Sequence, residues 1–98
     1  MTRNNFNKLV QQCVYLLREN YNVKRIYLIG SLVNGKIHAG TVIDIVVEGL
    51  KPHLYLSALT KLYDVLPPGI DLNLIPFEDA YLSLKEKTLK EGKLMYAA

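Results

Sequence analysis

Four residues of this 98-residue chain have the types and spacing to bind a phosphate and a metal ion. Gly30 and Ser31 follow a short apolar run, where glycine lets the backbone approach a phosphate and the serine hydroxyl can donate a hydrogen bond to it. Asp44 lies in the middle of a second apolar run, and Asp71 has a similar position in a third. Because an unpaired buried carboxylate is costly, each acid requires a cation or a donor. On neighbouring strands, both carboxylates would emerge on one face and could share a Mg²⁺.

Each of these residues also has a purely structural interpretation. Gly30 and Ser31 could mark an ordinary break between a strand and a turn, and Asp71 could cap a turn. Asp44 could form a structural ion pair with one of three cations, namely Lys24, Arg25 or Lys36. The sequence leaves these alternatives open.

The other polar residues that could bind a ligand are expected to have ordinary structural or solvent-exposed positions. Lys36 and His38 lie in the predicted loop before Asp44 and could contact a phosphate, although solvated positions are the simpler interpretation. A zinc site is not expected, because the chain has two histidines and one cysteine. That cysteine, Cys13, lies on the apolar face of the first predicted helix and behaves there as a small hydrophobic side chain.

The elements that must position these residues follow the order helix, strand, loop, strand, helix, strand, helix. Apolar periodicity predicts three helices, over 5–19, 53–66 and 78–91, the last with Gly92 as its C-terminal cap. Alternating β-branched and apolar residues predict three strands, Val23–Ile29, Thr41–Glu48 and Ile70–Ile75. This order is typical of a small α/β (α+β) protein with helices packed on a mixed sheet.

Length and composition limit the function classes. The length suits a single domain over 1–98, and 50% hydrophobic and 21% charged residues are typical of a globular protein. The apolar runs are too short to cross a bilayer and the N-terminus has no signal-like core, so a cytoplasmic protein is expected. The net charge of +3 is spread along the chain, which gives no stripe for duplex nucleic acid.

The second predicted helix has an unusually wide apolar face. Its apolar residues cover an arc of roughly 200°, more than a helix lying on one sheet requires. Together with Tyr15, on the polar side of the first helix, this width favours a protein-binding surface. The alternative is a helix held between two neighbours within the same chain.

Two stretches of the sequence resemble minimal nucleotidyltransferases of the DNA polymerase beta superfamily. The family pattern is Gly-Ser, ten residues, then Asp-x-Asp; here Gly30 and Ser31 are followed by the ten residues 32–41 and then by Val42, Ile43 and Asp44. The family's third acid is matched by Asp71 in the sequence Ile-Asp-Leu, and the C-terminal residues 89–96 are similar to the family's usual ending. The resemblance covers nearly the whole chain.

The resemblance implies the polymerase beta-like nucleotidyltransferase fold and the transfer of a nucleotidyl group, commonly AMP from ATP, to an acceptor hydroxyl. In such a site Gly30 and Ser31 hold the triphosphate, and Asp44 and Asp71 are catalytic metal ligands. The implied cofactors are Mg²⁺ and ATP. Minimal members of this size are typically paired with a helical HEPN protein, as antitoxin to a ribonuclease toxin, and some adenylylate a tyrosine of that toxin.

One departure from the family pattern bears directly on activity. Val42 occupies the position of the first aspartate and has no ligand atom. Mg²⁺ can fill vacant positions with water, so weak metal or nucleotide binding is compatible with this change. Fast transfer is not expected, because the missing carboxylate would have bridged both metals of a two-metal site.

Three functional hypotheses follow. The first is a degenerate minimal nucleotidyltransferase that acts as an antitoxin subunit, binds a HEPN-type toxin in a hetero-oligomer and has weak or no transfer activity. The second is an active protein adenylyltransferase that moves AMP from ATP to a tyrosine hydroxyl of the partner toxin. The third, binding of nucleic acid through the basic charge, ranks last.

Overall fold

The computed structural model describes residues 3–30, 33 and 42–98. Within these residues the chain forms three α-helices and four strands, in the order α1 (Arg3–Tyr21), β1 (Arg25–Ile29), β2 (Val42–Glu48), α2 (Tyr55–Val65), β3 (Asp71–Pro76), α3 (Leu82–Glu91) and β4 (Lys93–Ala97). A 3-10 turn, Pro52–Leu54, precedes α2. No helix in this part of the chain is long and apolar enough to cross a bilayer.

α1 forms where the apolar periodicity of the sequence predicted a helix, and its apolar stripe faces the core. The buried side chains recur at helical spacing and are Phe6, Val10, Cys13, Val14, Leu17 and Tyr21. Tyr15 is 58% exposed, as its position outside the stripe predicts. The helix ends at Tyr21 and is followed by Asn22, whose φ of 52° is a left-handed conformation that asparagine tolerates after a helix end.

The four strands form one mixed sheet in the order β3-β2-β1-β4. β1 pairs antiparallel with both β2 and β4, whereas β2 and β3 are parallel and are joined through α2. A parallel pair requires a crossover of this kind, so the helix between the two strands is a consequence of the topology. The parallel register places Val42 beside Asp71 and Asp44 beside Asn73.

The sheet has helices on both faces. The main core lies between one face and the helices α1 and α2, and its sheet residues are Ile26, Leu28, Ile43, Ile45, Val47, Leu72 and Leu74. The alternate residues of β1 and β2 face the other way, where α3 packs against β1. On this second face Tyr27 stacks on Phe77 with ring centroids 6.2 Å apart, and Val46 is fully buried. The prediction of a small mixed sheet covered by helices is confirmed.

The C-terminal region differs from the prediction in two ways. The predicted helix over 78–91 is divided into a 3-10 turn, Phe77–Asp79, and α3, which begins at Leu82. The Glu78 carboxylate accepts a hydrogen bond of 2.8 Å from the Gly49 amide, and this tertiary contact ties the turn to the end of β2. The prediction also missed β4, which pairs with β1 at the edge of the sheet. Its residues do not alternate between apolar and polar, so the local pattern did not indicate a strand there.

α2 is held by α1 and by the free edge of β3. The Tyr55 hydroxyl donates to the Leu74 carbonyl at 2.7 Å. The Tyr63 hydroxyl donates to the Leu72 carbonyl at 3.1 Å and accepts from the Leu72 amide at 3.2 Å. These bonds satisfy backbone groups of an edge strand that would otherwise be open to another chain. Part of the wide apolar face therefore serves contacts within the chain, although Leu56 on the same helix remains 73% exposed.

Candidate functional site

The two predicted acids lie on the same face of the sheet. Residues that pair directly across neighbouring strands project to the same side, so Asp44 and Asn73 share a face, as do Val42 and Asp71. Alternation along β2 places Val42 and Asp44 on that face together. From ordinary strand spacing, Asp44 and Asp71 are diagonal neighbours with Cα atoms about 8 Å apart. Both carboxylates are thus available to one ligand on this face.

Gly30 brings the end of β1 directly against Asp44. Its φ of +83° lies in the left-handed region that glycine adopts without strain. A Cβ atom built on Gly30 would stand 2.6 Å from Oδ2 of Asp44, closer than van der Waals contact allows. Gly30 and Asp44 are therefore direct neighbours, and the absence of a side chain at position 30 leaves room for the carboxylate.

The structure adds Asn73, which the sequence analysis did not single out. Its Nδ2 donates a hydrogen bond of 2.8 Å to Oδ1 of Asp44. No sequence signal pointed to it, because only the parallel register of β2 and β3 brings the two side chains together. Asp44 thus has the donor that a half-buried carboxylate in a strand requires.

Of the three cations proposed as ion-pair partners of Asp44, Lys24 and Arg25 are described and form no ion pair with it, whereas Lys36 lies outside the described residues. Arg25, one of the three candidate cations, forms a 2.7 Å ion pair with Glu48 at the other end of β2. Among residues 3–30, 33 and 42–98, no Lys or Arg forms an ion pair with Asp44. Four residues discussed in the sequence analysis, Ser31, Lys36, His38 and Thr41, lie outside the described residues.

The donor set on this face suits one hydrated divalent ion. Asp44 and Asp71 offer carboxylate oxygens, the ligands that Mg²⁺ prefers, and the ion commonly keeps several waters. Val42, half-buried between them, offers no ligand atom. In the described part of the chain, no group of three or more His, Cys, Asp or Glu side chains is placed to hold a metal. These residues match a single-ion site better than a two-metal site.

Beside the acids, the same face is closed by α3. Tyr27 and Val46 are buried there, and Lys85 of α3 lies 5.6 Å from the centroid of the Phe77 ring that stacks on Tyr27. Asp71, in contrast, is exposed. Among the described residues, the acids therefore occupy the end of the face that α3 leaves uncovered, next to Gly30.

Comparison with solved structures shows the same fold in toxin–antitoxin complexes. One chain of a toxin–antitoxin structure with AMP-PNP is 27% identical, with a TM-score of 0.76 over 90% of this chain and 73% of that one. A chain from a variant of an MntA toxin–antitoxin pair is also 27% identical, with a TM-score of 0.73 over 90% and 72% of the two chains. A protein described as a minimal nucleotidyltransferase shares the fold, with a TM-score of 0.72 at 16% identity over 94% of both chains.

The family assignment rests on the sequence profile as well. No protein of curated function matches the chain. The family model described as "Polymerase beta, Nucleotidyltransferase" matches residues 11–98, which include both acids and Gly30. The chain therefore belongs to the polymerase beta nucleotidyltransferase family.

Proposed function

We propose that this chain is the antitoxin subunit of a toxin–antitoxin pair, that it binds a helical HEPN-type toxin, and that it transfers nucleotides weakly or not at all. The observation that carries the proposal is Val42, which lies on the site face beside Asp71 where the family has a metal ligand. With two carboxylates instead of three, a single Mg²⁺ can be held but not the pair of ions that the family's transfer chemistry uses.

The partner is supported by two independent features. The solved relatives at 27% identity are chains of toxin–antitoxin complexes. The chain also has apolar side chains that its own fold leaves open, on the side of the sheet opposite the acids. Tyr15 of α1 and Val65 of α2 line a common groove of about 820 Å³, and Val65 is 38% exposed. A partner that fills this groove buries apolar area and does not contact the acids. Binding at this groove therefore does not depend on nucleotide transfer.

The nucleotide site is proposed to keep a binding role. Gly30 and Ser31 would hold the phosphates of ATP, and Asp44 and Asp71 would hold one Mg²⁺, which would neutralise phosphate charge. The support is the contact of Gly30 with Asp44 and the shared face of the two acids. Binding of this kind stabilises the folded chain by mass action and requires no reaction.

The proposal predicts that a neighbouring reading frame encodes a helical HEPN-type protein, and it is tested with that protein. The two proteins are co-purified and incubated with Mg²⁺ and ATP labelled on the α-phosphate, and both complex formation and toxin ribonuclease activity are measured. We expect a stable complex that inhibits the ribonuclease, with the same inhibition by the Asp44→Asn variant and only trace labelling. Stoichiometric labelling of the partner at an ordinary enzymatic rate would contradict the proposal.

The docking surface is tested by two matched charge insertions. Val65→Asp places a carboxylate in the groove, whereas Leu82→Asp places one at an exposed apolar position on α3, on the opposite face. We expect the first to weaken the complex at least tenfold and the second to leave it unchanged. The reverse result would place the partner at α3, on the opposite face of the sheet.

The second candidate function is that of an active protein adenylyltransferase acting on a tyrosine hydroxyl of the toxin. It is favoured by one observation, the placement of Asp44 and Asp71 on one open face next to Gly30. In this case water or substrate oxygens replace the ligand missing at Val42. Labelling of the toxin would then be abolished by Asp44→Asn, and labelling that persists in this variant would not originate from this site.

A further inference from the structure

Asn73 holds the Asp44 carboxylate in a defined orientation. A carboxylate only accepts hydrogen bonds, so the amide group that faces Oδ1 must be the Nδ2 donor of Asn73. The two residues are direct partners in the parallel register, which keeps their Cβ atoms side by side. Because Asn73 is exposed, its own side chain has no packing role in the core.

The hydrogen bond makes the two oxygens of Asp44 unequal. Oδ1 is engaged by Asn73 at 2.8 Å. Oδ2 is the atom that faces the space left by the missing side chain of Gly30. Gly30 at the end of β1 and Oδ2 of Asp44, which accepts no hydrogen bond from the other described residues, therefore lie at one place, where the phosphate of a nucleotide and its metal ion would have to meet.

We propose that Asn73 is a positioning residue of the nucleotide site, which occupies Oδ1 of Asp44 so that Oδ2 alone is presented to a divalent ion beside Gly30. This inference rests on the proposed nucleotide-binding role, and it specifies which oxygen serves it. Asn73 also gives Asp44 a neutral donor on the neighbouring strand, where another acid would repel it.

The effect on metal affinity is measured with Mn²⁺ as a probe that replaces Mg²⁺, by following free Mn²⁺ with electron paramagnetic resonance. The test variant is Asn73→Val, because valine removes the donor and is well suited to a strand. We expect a Kd for Mn²⁺ roughly tenfold higher than that of the wild type, the size usual for removal of a group that orients a metal ligand. Asn20→Ala, which removes an exposed asparagine at the end of α1, is the control and should leave the Kd unchanged.

A double-mutant cycle separates positioning from a general structural effect. If Asn73 acts through Asp44, Asn73→Val has no further effect on Mn²⁺ binding in an Asp44→Asn background. The midpoint of thermal unfolding is recorded for each variant without metal. A Kd that stays at the wild-type value, or that rises equally in both backgrounds, overturns the proposal.

A second readout does not involve the metal. In nuclear magnetic resonance spectra, the Asn73 side-chain amide proton that is bonded to Asp44 Oδ1 should lie further downfield in the wild type than in Asp44→Ala, which removes the acceptor. An unchanged amide pair would show that the hydrogen bond is absent and overturn the proposal.

The outcomes also distinguish this inference from the proposed nucleotide-binding role. If the wild type binds Mn²⁺, Asp44→Asn binds it more weakly and Asn73→Val keeps the wild-type Kd, only the role of Asn73 is wrong. If the wild type and Asp44→Asn bind Mn²⁺ alike, there is no metal site at Asp44, and both the nucleotide-binding role and this inference are wrong.

Discussion

Val42 and Asp71 face each other across the parallel strands β2 and β3, on the side of the sheet that carries Asp44. In a sheet, directly opposed side chains interact, so an acid at position 42 would share a ligand with Asp71. Because this chain has an apolar group there, a metal at this face relies on the two remaining acids.

A carboxylate at position 42 should therefore make the free energy of unfolding depend on a divalent metal ion. For Val42→Asp we expect unfolding without metal to become easier by about 1 kcal/mol, because like charges then oppose each other beside Asp71. Added Mn²⁺ should more than reverse this loss, and metal-dependent labelling of the partner should increase. Thermal unfolding with and without Mn²⁺ measures the first effect. Val42→Asn is the uncharged control, and a variant with no response to Mn²⁺ would contradict the expectation.

Gly30 and Gly69 are two comparable glycines that test whether position 30 must lack a side chain. Both have left-handed φ angles, +83° and +88°, but a Cβ at Gly69 would meet nothing within 4 Å. Substitution by alanine should cost each variant on the order of 1 kcal/mol of backbone strain. Only Gly30→Ala displaces the Asp44 carboxylate, so only it should weaken Mn²⁺ and ATP binding. Equal binding by the two variants would show that the contact has no part in the site.

Tyr63 should protect the edge of the sheet. Tyr63→Phe removes two hydrogen bonds to Leu72, and we expect a loss of about 1 kcal/mol in unfolding free energy and faster exchange of the Leu72 amide proton. Hydrogen exchange monitored by nuclear magnetic resonance measures this locally. Tyr15→Phe, at an exposed position on α1, is the control and should be neutral. Unchanged protection of Leu72 would argue against the bond.

Cys13 should make stability decrease at alkaline pH. Burial disfavours the thiolate and raises the pKa of Cys13 from 9.0 to about 11. Because the pKa in the folded state is above the unfolded value, the buried thiol lowers the free energy of unfolding only at high pH. The full stability is present below pH 9 and is lost as the pH rises through 11, and the loss is at most about 2 to 3 kcal/mol. Other groups also titrate in this range, so the measurement is the difference in unfolding free energy between the wild type and Cys13→Ala. A constant difference from pH 8 to 11 would contradict it.

The helices and strands that form the core were predictable because burial imposes a period on the sequence. The apolar stripe of α1 and the alternation in Val42–Glu48 follow directly from which side chains face the core. Exposed or irregular segments gave weaker signals. β4 and the division of the last predicted helix depend on contacts with β1 and Gly49, so local patterns did not reveal them.

The sequence by itself determined the types of residue at the site: Gly30 at the end of a strand, acids at Asp44 and Asp71, and an apolar residue at Val42 in place of an acid. Only the tertiary structure decided that β3 lies beside β2 in a parallel register, that Asn73 therefore binds Asp44, and that Oδ2 faces Gly30. The physical reason is that alternation assigns a residue to a face of its own strand. Which residue lies beside it is set by the packing of the crossover helix and by long-range pairing.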